Sequence, residues 1–207
     1  MIIKVCGMTD PDNIKDLNQL PISFMGMIFY PESSRYADNL TWNDIKNNIH
    51  PAIERVGVFV NAEMDEIMEI TNRVYLDLIQ LHGDESPEFS EELNDTIPVI
   101  KAFSISEISD FEKTKEYEGK VSYFLFDTKT PLYGGSGQKF DWSILEAYKG
   151  NTPFLLSGGI GPEDVENIKL IQHPKFCGID LNSKFETKPG FKNIEQLKQF
   201  IKDLRDE

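Results

Sequence analysis

Eight times along the chain a short apolar segment gives way to a longer polar one, and this alternation restricts the fold more than any other feature of the sequence. The apolar segments cover residues 2–6, 23–29, 55–60, 76–82, 99–104, 122–127, 153–157 and 176–181. Most are near-continuously apolar, the pattern of a strand covered on both faces. Helix-compatible stretches lie between and after them, at residues 10–19, 42–49, 64–72, 87–93, 106–117, 142–148, 162–171 and 194–204. Several open with capping chemistry: Asp10 before Pro11, Thr41 with Asp44 three residues on, and Gly161-Pro162-Glu163-Asp164. Strict alternation makes the strands parallel with right-handed crossovers, and a count of eight favours closure over an open sheet of five or six strands. The expected architecture is α/β, a single (β/α)8 TIM barrel spanning residues 1–207. The units after the second and sixth strands carry extra residues, 30–39 and 128–139. Both insertions follow the C-terminal end of a strand, the face on which barrels build active sites.

Charge and composition narrow the partners. Lys and Arg number 21 against 35 Asp and Glu, giving a formal net charge of −14. With a sequence pI near 4.6 and no basic block, the chain is unsuited to binding nucleic acid or an anionic membrane surface. No apolar run approaches the roughly 20 residues that span a bilayer, and residues 1–10 lack the features of a signal peptide. The expected location is cytoplasmic. Two cysteines, Cys6 and Cys177, are expected at opposite ends of the barrel, too far apart to bridge, and read as free thiols.

Three glycine-bearing segments follow strands: Cys6-Gly7-Met8-Thr9, Gly134-Gly135-Ser136-Gly137 and Ser157-Gly158-Gly159-Ile160-Gly161. Glycine admits close approach of an anion, and the third segment runs into a helix start after strand seven. With Asn182-Ser183 after strand eight it forms the pair of loops where many barrels bind phosphate; the plain alternative is a tight turn needing positive φ. The glycine spacing fits neither a dinucleotide fingerprint nor a P-loop.

Cys6 ends the first strand with its thiol in phase with Lys4, and is either a base or nucleophile at the mouth or a small buried hydrophobe. Asp127 ends the sixth strand, where desolvation suits a carboxyl group to general acid work, unless it only caps the next loop. Arg35, in the long second loop, has the planar fork that fits a carboxylate, if it is more than a surface arginine. Lys4 should face inward and needs a buried partner, most plausibly Asp180. His82 ends strand four and so can touch a ligand, but with His50 and His173 elsewhere no spacing marks a metal site.

Taken in order, Lys4-Val5-Cys6-Gly7-Met8-Thr9, Ser33-Ser34-Arg35, Val56-Gly57-Val58-Phe59, Gln80-Leu81-His82-Gly83, Phe126-Asp127-Thr128, Gly134-Gly135-Ser136-Gly137, Phe140-Asp141-Trp142, Ser157-Gly158-Gly159-Ile160 and Pro189-Gly190-Phe191-Lys192 resemble the phosphoribosylanthranilate isomerase family over nearly the whole chain. The resemblance implies a (β/α)8 barrel that carries out an Amadori rearrangement in tryptophan biosynthesis without metal or cofactor. It further implies Cys6 as general base, Asp127 as general acid and Arg35 as holder of the anthranilate carboxylate. Gly158 and Gly159 with Asn182 and Ser183 would bind the phosphate, and His82 and Gly135 would complete the ligand contacts. The partner is then a small phosphosugar–anthranilate molecule, and the chain a monomer or homodimer.

Two departures from the family pattern stand out. Lys184 replaces a glycine in Asn182-Ser183-Lys184-Phe185-Glu186, so either the backbone there avoids positive φ or the lysine adds a charge contact. The loop beginning Thr128-Lys129-Thr130-Pro131-Leu132-Tyr133 is longer than the family's common form. Two other functions remain open on sequence alone: a histidine-pathway phosphosugar isomerase, disfavoured by Cys6 because that group typically uses two aspartates, and a non-catalytic phosphate-binding barrel.

Overall fold

A computed structural model describes residues 1–37, 40–128 and 139–206. The apolar segments form eight strands: β1 (Ile2–Val5), β2 (Phe24–Ile28), β3 (Glu54–Phe59), β4 (Leu78–Leu81), β5 (Val99–Ile105), β6 (Tyr123–Thr128), β7 (Phe154–Leu156) and β8 (Phe176–Leu181). Each pairs in parallel with its sequence neighbour, and β8 pairs with β1 to close the barrel. The closing register sets Ile3 beside Ile179, Lys4 beside Asp180 and Val5 beside Leu181.

Side chains alternate across the strands and so build two cores. One fills the space between sheet and helices and includes Val5, Met25, Phe59, Leu81, Phe124 and Phe126. The other plugs the lower barrel interior with Phe24, Val56, Leu78, Ile100, Ala102, Leu125 and Leu155. Cys177 packs at this lower end and donates from Sγ to the Phe154 carbonyl. Both cysteines are free.

A helical segment follows every strand, but not all are α-helices. The α-helices are α1 (Pro11–Leu17), α2 (Trp42–Asn48), α3 (Met64–Val74), α4 (Pro87–Asn94), α5 (Val165–Lys169) and α6 (Ile194–Arg205). The expected helices over 106–117 and 142–148 are instead 3₁₀ segments, Ile108–Tyr117 and Trp142–Ala147, and that over 162–171 splits into a 3₁₀ turn, Pro162–Asp164, and α5. The first 3₁₀ segment is bound by local side chains: Asp110 accepts from the backbone of Ser106 and Glu107, and Thr114 Oγ1 donates to the Phe111 carbonyl. After β8 the chain makes a 3₁₀ turn, Ser183–Phe185, and an antiparallel hairpin of β9 (Glu186–Lys188) and β10 (Phe191–Lys192) before α6. Among the described residues, no helix is long and apolar enough to cross a membrane.

Phe126 is fully buried at the centre of an aromatic cluster, with ring centroids 4.7 Å from Phe154, 5.2 Å from Phe111 and 5.3 Å from Tyr148. Phe126→Ala therefore leaves a cavity that rigid neighbours cannot fill, and is expected to lower unfolding free energy by about 3–5 kcal/mol, measured by urea denaturation.

Candidate active site

A cleft opens at the C-terminal ends of the strands. It brings together Cys6, Arg35, His82, Asp127, Gly158, Gly159, Asn182 and Ser183, eight of the nine residues singled out in the sequence. Gly135 lies outside the described residues. Ile28, Val58 and Val60 give the cleft an apolar wall. Cys6 and His82 lie one residue past β1 and β4, rather than inside them, and Asp127 is followed by one further strand residue, Thr128.

Beneath the cleft, Lys4 Nζ donates to Asp180 Oδ1 at 2.9 Å, the inward pair expected from the sequence. Lys4 is wholly buried, and Ser157 Oγ donates to the other carboxylate oxygen at 3.2 Å. Burial opposes the Lys4 ammonium, but Asp180 and Cys6 outweigh it and raise its pKa above the ordinary lysine value. Cys6 is shaped by the same cluster in the other sense. Burial pushes its thiol up, Lys4 pulls it down, Asp180 pushes it up again and Lys192 pulls it down; the balance stays above the ordinary thiol value.

Arg35 reaches the cleft through a chain of turns after β2: Ser33 N–H donates to the Tyr30 carbonyl, Arg35 N–H to Ser33 Oγ, and Ala37 N–H to the Ile28 carbonyl. Its guanidinium is gripped by Glu186, with Nε donating at 2.9 Å and Nη2 at 2.7 Å. The same carboxylate accepts from the buried Lys192 Nζ at 2.7 Å, and Lys192 donates also to Asn182 Oδ1 at 2.7 Å. The Lys192 backbone is fixed from α1, where Asn13 accepts from its N–H and donates to its carbonyl. Burial holds the Glu186 carboxyl up, but Arg35 and Lys192 overcome this and leave it below the usual carboxylate range. Burial takes Lys192 below the ordinary lysine value despite Glu186 and Cys6. Glu186 and Lys192 escaped the sequence reading as site residues; the available signals were that Lys192 lies in a motif carrying the family resemblance and that Glu186 closes the segment in which Lys184 departs from it.

Asp127 Oδ1 accepts the Thr128 N–H at 2.7 Å, and Oδ2 lies 3.4 Å from His82 Nε2. Gly158 follows β7 with φ +87°, Gly159 with φ +66°. A Cβ at Gly158 would overlap Thr128 Oγ1 and stand 2.6 Å from Thr128 N and 2.8 Å from Asp127 Oδ1. Further along, Asp164 Oδ2 already accepts the Gly161 N–H at 2.7 Å and also pairs with Lys139, so that amide is not available to an anion. Ser183 opens the 3₁₀ turn after β8, and Lys184, exposed, is not among the positive-φ residues. A lysine therefore fits the backbone where the family pattern has glycine. Among the described residues, no group of three or more His, Cys, Asp or Glu is placed to hold a metal ion.

Gly158→Ala combines a left-handed backbone with these overlaps, and is expected to destabilise the fold by about 1–3 kcal/mol, seen as a lower urea midpoint at unchanged slope.

Residues 3–203 match the family model of N-(5'-phosphoribosyl)anthranilate (PRA) isomerase. The N-(5'-phosphoribosyl)anthranilate isomerase of Parabacteroides distasonis is 52% identical over 206 residues, covering 99% of this chain and 93% of that protein. The Phocaeicola vulgatus protein of the same name is 44% identical, covering 99% and 98%. Among solved structures, the phosphoribosyl anthranilate isomerase of Thermotoga maritima superposes with a TM-score of 0.85 at 34% identity over the whole of both chains. A phosphoribosyl anthranilate isomerase in complex with reduced 1-(o-carboxyphenylamino)-1-deoxyribulose 5-phosphate gives 0.82 at 30%, again over both full chains.

Proposed function

This chain belongs to the N-(5'-phosphoribosyl)anthranilate isomerase family, and from that membership we propose how its barrel mouth carries out the family's isomerisation in tryptophan biosynthesis. The reaction converts N-(5-phosphoribosyl)anthranilate to 1-(o-carboxyphenylamino)-1-deoxyribulose 5-phosphate, an Amadori rearrangement. One sugar carbon is reduced and its neighbour oxidised within the same molecule, so an acid and a base suffice.

Asp127 donates a proton to the furanose ring oxygen as the C1'–O bond breaks, giving the open-chain Schiff base. Cys6 then removes the C2' proton, and the resulting enolamine takes a proton at C1' and loses one from its C2' hydroxyl to become the ketone. The observation that carries this reading is the placing of Cys6 and Asp127 in one cleft, on strands well separated around the barrel, so that a single sugar can lie between acid and base. Arg35 presents a fixed guanidinium to the anthranilate carboxylate, because Glu186 holds its Nε and Nη2 edge. Gly158, Gly159, Asn182 and Ser183 receive the phosphate, with His82 and Gly135 as further ligand contacts. We read residues 1–207 as one domain working in the cytoplasm, as a monomer or a homodimer, and on a small-molecule partner alone.

Fluorescence-monitored loss of freshly prepared N-(5-phosphoribosyl)anthranilate tests the assignment. Wild type is expected to consume it, while Cys6→Ala and Asp127→Asn each lose about 100-fold or more in kcat. Full turnover by both variants sinks the assigned roles.

The raised thiol sets the pH dependence. A base active as thiolate is a minority species below its pKa, growing about tenfold per pH unit. Since the Cys6 thiol lies above the ordinary value, kcat/KM is expected to keep rising as pH passes about 8.5, the usual thiol midpoint. A pH–rate profile that levels off near pH 7 contradicts this.

A further inference from the structure

Gln80 on β4 and His82 just beyond it are two residues apart and face the barrel interior together. Gln80 is 1% exposed, and its Nε2 lies 2.8 Å from His82 Nδ1. An amide nitrogen offers only protons, so Nδ1 is the acceptor and the neutral ring carries its proton on Nε2. That nitrogen faces Asp127 Oδ2 at 3.4 Å. The Gln80 Oε1, by contrast, is buried without a partner among the described residues. A side chain that buries an unsatisfied acceptor while spending its donor on a histidine calls for an explanation beyond filling space.

The stretch after His82 is fixed as well. Gly83 N–H donates to Glu85, Lys101 Nζ donates to the Gly83 carbonyl at 2.7 Å and to Glu85 at 3.0 Å, and Asn61 N–H donates to Glu85 at 2.8 Å. The imidazole is thus held from its own strand, and the backbone that follows it from its own loop.

We propose that Gln80 and His82 are positioning residues for Asp127: the Gln80 amide locks His82 as the Nε2–H tautomer, and that N–H holds the carboxylate that Asp127 becomes on protonating the ring oxygen. The inference rests on the reading of Asp127 as general acid. One proton leaves Asp127 for the ring oxygen as the C1'–O bond breaks, and His82 keeps its Nε2 proton throughout. The His82–Asp127 contact strengthens as negative charge appears on the carboxylate, so it favours the transition state over the bound substrate. It also completes the carboxylate's surroundings, since Oδ1 already has the Thr128 amide.

Two measurements test this on the full-length protein. With ¹⁵N-histidine labelling, the ring nitrogens of His82 in the ligand-free wild type are expected to show the Nε2–H tautomer, and Gln80→Met, which keeps volume but removes the donor, is expected to mix the tautomers. An Nδ1–H ring in wild type, or a spectrum unmoved by Gln80→Met, overturns the proposal. In steady-state kinetics, His82→Ala is expected to lower kcat about 10- to 100-fold beyond any rise in KM from a lost ligand contact, and His82→Gln, whose amide can still donate, to recover part of the kcat loss. A raised KM at unchanged kcat instead makes His82 a ligand contact only and defeats the inference. Full turnover by Asp127→Asn is a separate result that removes the acid assignment itself.

Discussion

The ion pair of Lys4 and Asp180 is the interaction on which the rest of the molecule hangs. It joins the first barrel strand to the eighth, at the seam where the barrel closes, and it lies in the interior with Lys4 fully covered. Such a pair adds little net stability, because desolvating both charges offsets most of their attraction. Its weight is in exclusion of alternatives. A slip of one residue along the β1–β8 seam would turn Lys4 out among the helices and leave Asp180 buried without its cation, an arrangement that costs about 3–5 kcal/mol. Closure in one register is what puts Cys6 directly above the ammonium and Ser157 of the neighbouring loop on the free carboxylate oxygen.

A second constraint is electrostatic. A chain of net charge −14 must admit a ligand bearing both carboxylate and phosphate. The mouth meets this with two cations, Arg35 and Lys192, sharing one carboxylate, Glu186. These three groups together carry one positive charge although the whole chain is acidic, and burial limits its screening by salt. The hairpin of β9 and β10 exists in this sense to carry Glu186 and Lys192 back over the barrel, with Asn13 of α1 anchoring its far strand.

The barrel was legible in the sequence because buried parallel strands write themselves as continuous apolar runs, and eight of them separated by helical stretches leave few topologies. Cys6, Asp127 and His82 were legible for a related reason: a polar residue ending an apolar run must stand at the strand's edge. The inward pair of Lys4 with Asp180 followed from the cost of a lone buried ammonium. What stayed hidden was long-range and side-chain specific. Arg35 read as a free fork for a carboxylate, yet its partner Glu186 is 151 residues away in sequence. Lys192 and Gln80 read only as parts of motifs, with no role of their own. The 3₁₀ segments were missed because, over such short stretches, apolar periodicity does not separate 3₁₀ from α winding.

The pleat itself links the proposed base to the proposed acid. Because strand side chains alternate, the residue two positions before each reactive group lies one layer deeper on the same wall. Beneath Cys6 that residue is Lys4, whose ammonium stabilises a thiolate. Beneath Asp127 it is Leu125, a member of the apolar plug with no proton to give. The proposed acid therefore draws its surroundings from beside it: Thr128 N–H donates to one oxygen, and across the mouth His82 Nε2 stands 3.4 Å from the other, with Gln80 against His82 in the layer below. On the roles proposed for Cys6 and Asp127, a cation under the base favours a charge needed before the proton is taken, whereas an N–H donor beside the acid would favour one that appears only as the proton leaves. Under those roles, exchanging the two environments would deprotonate the acid in advance and silence the base, so on that proposal the layer beneath the mouth, as much as the residues at its rim, sets which group gives a proton and which takes one.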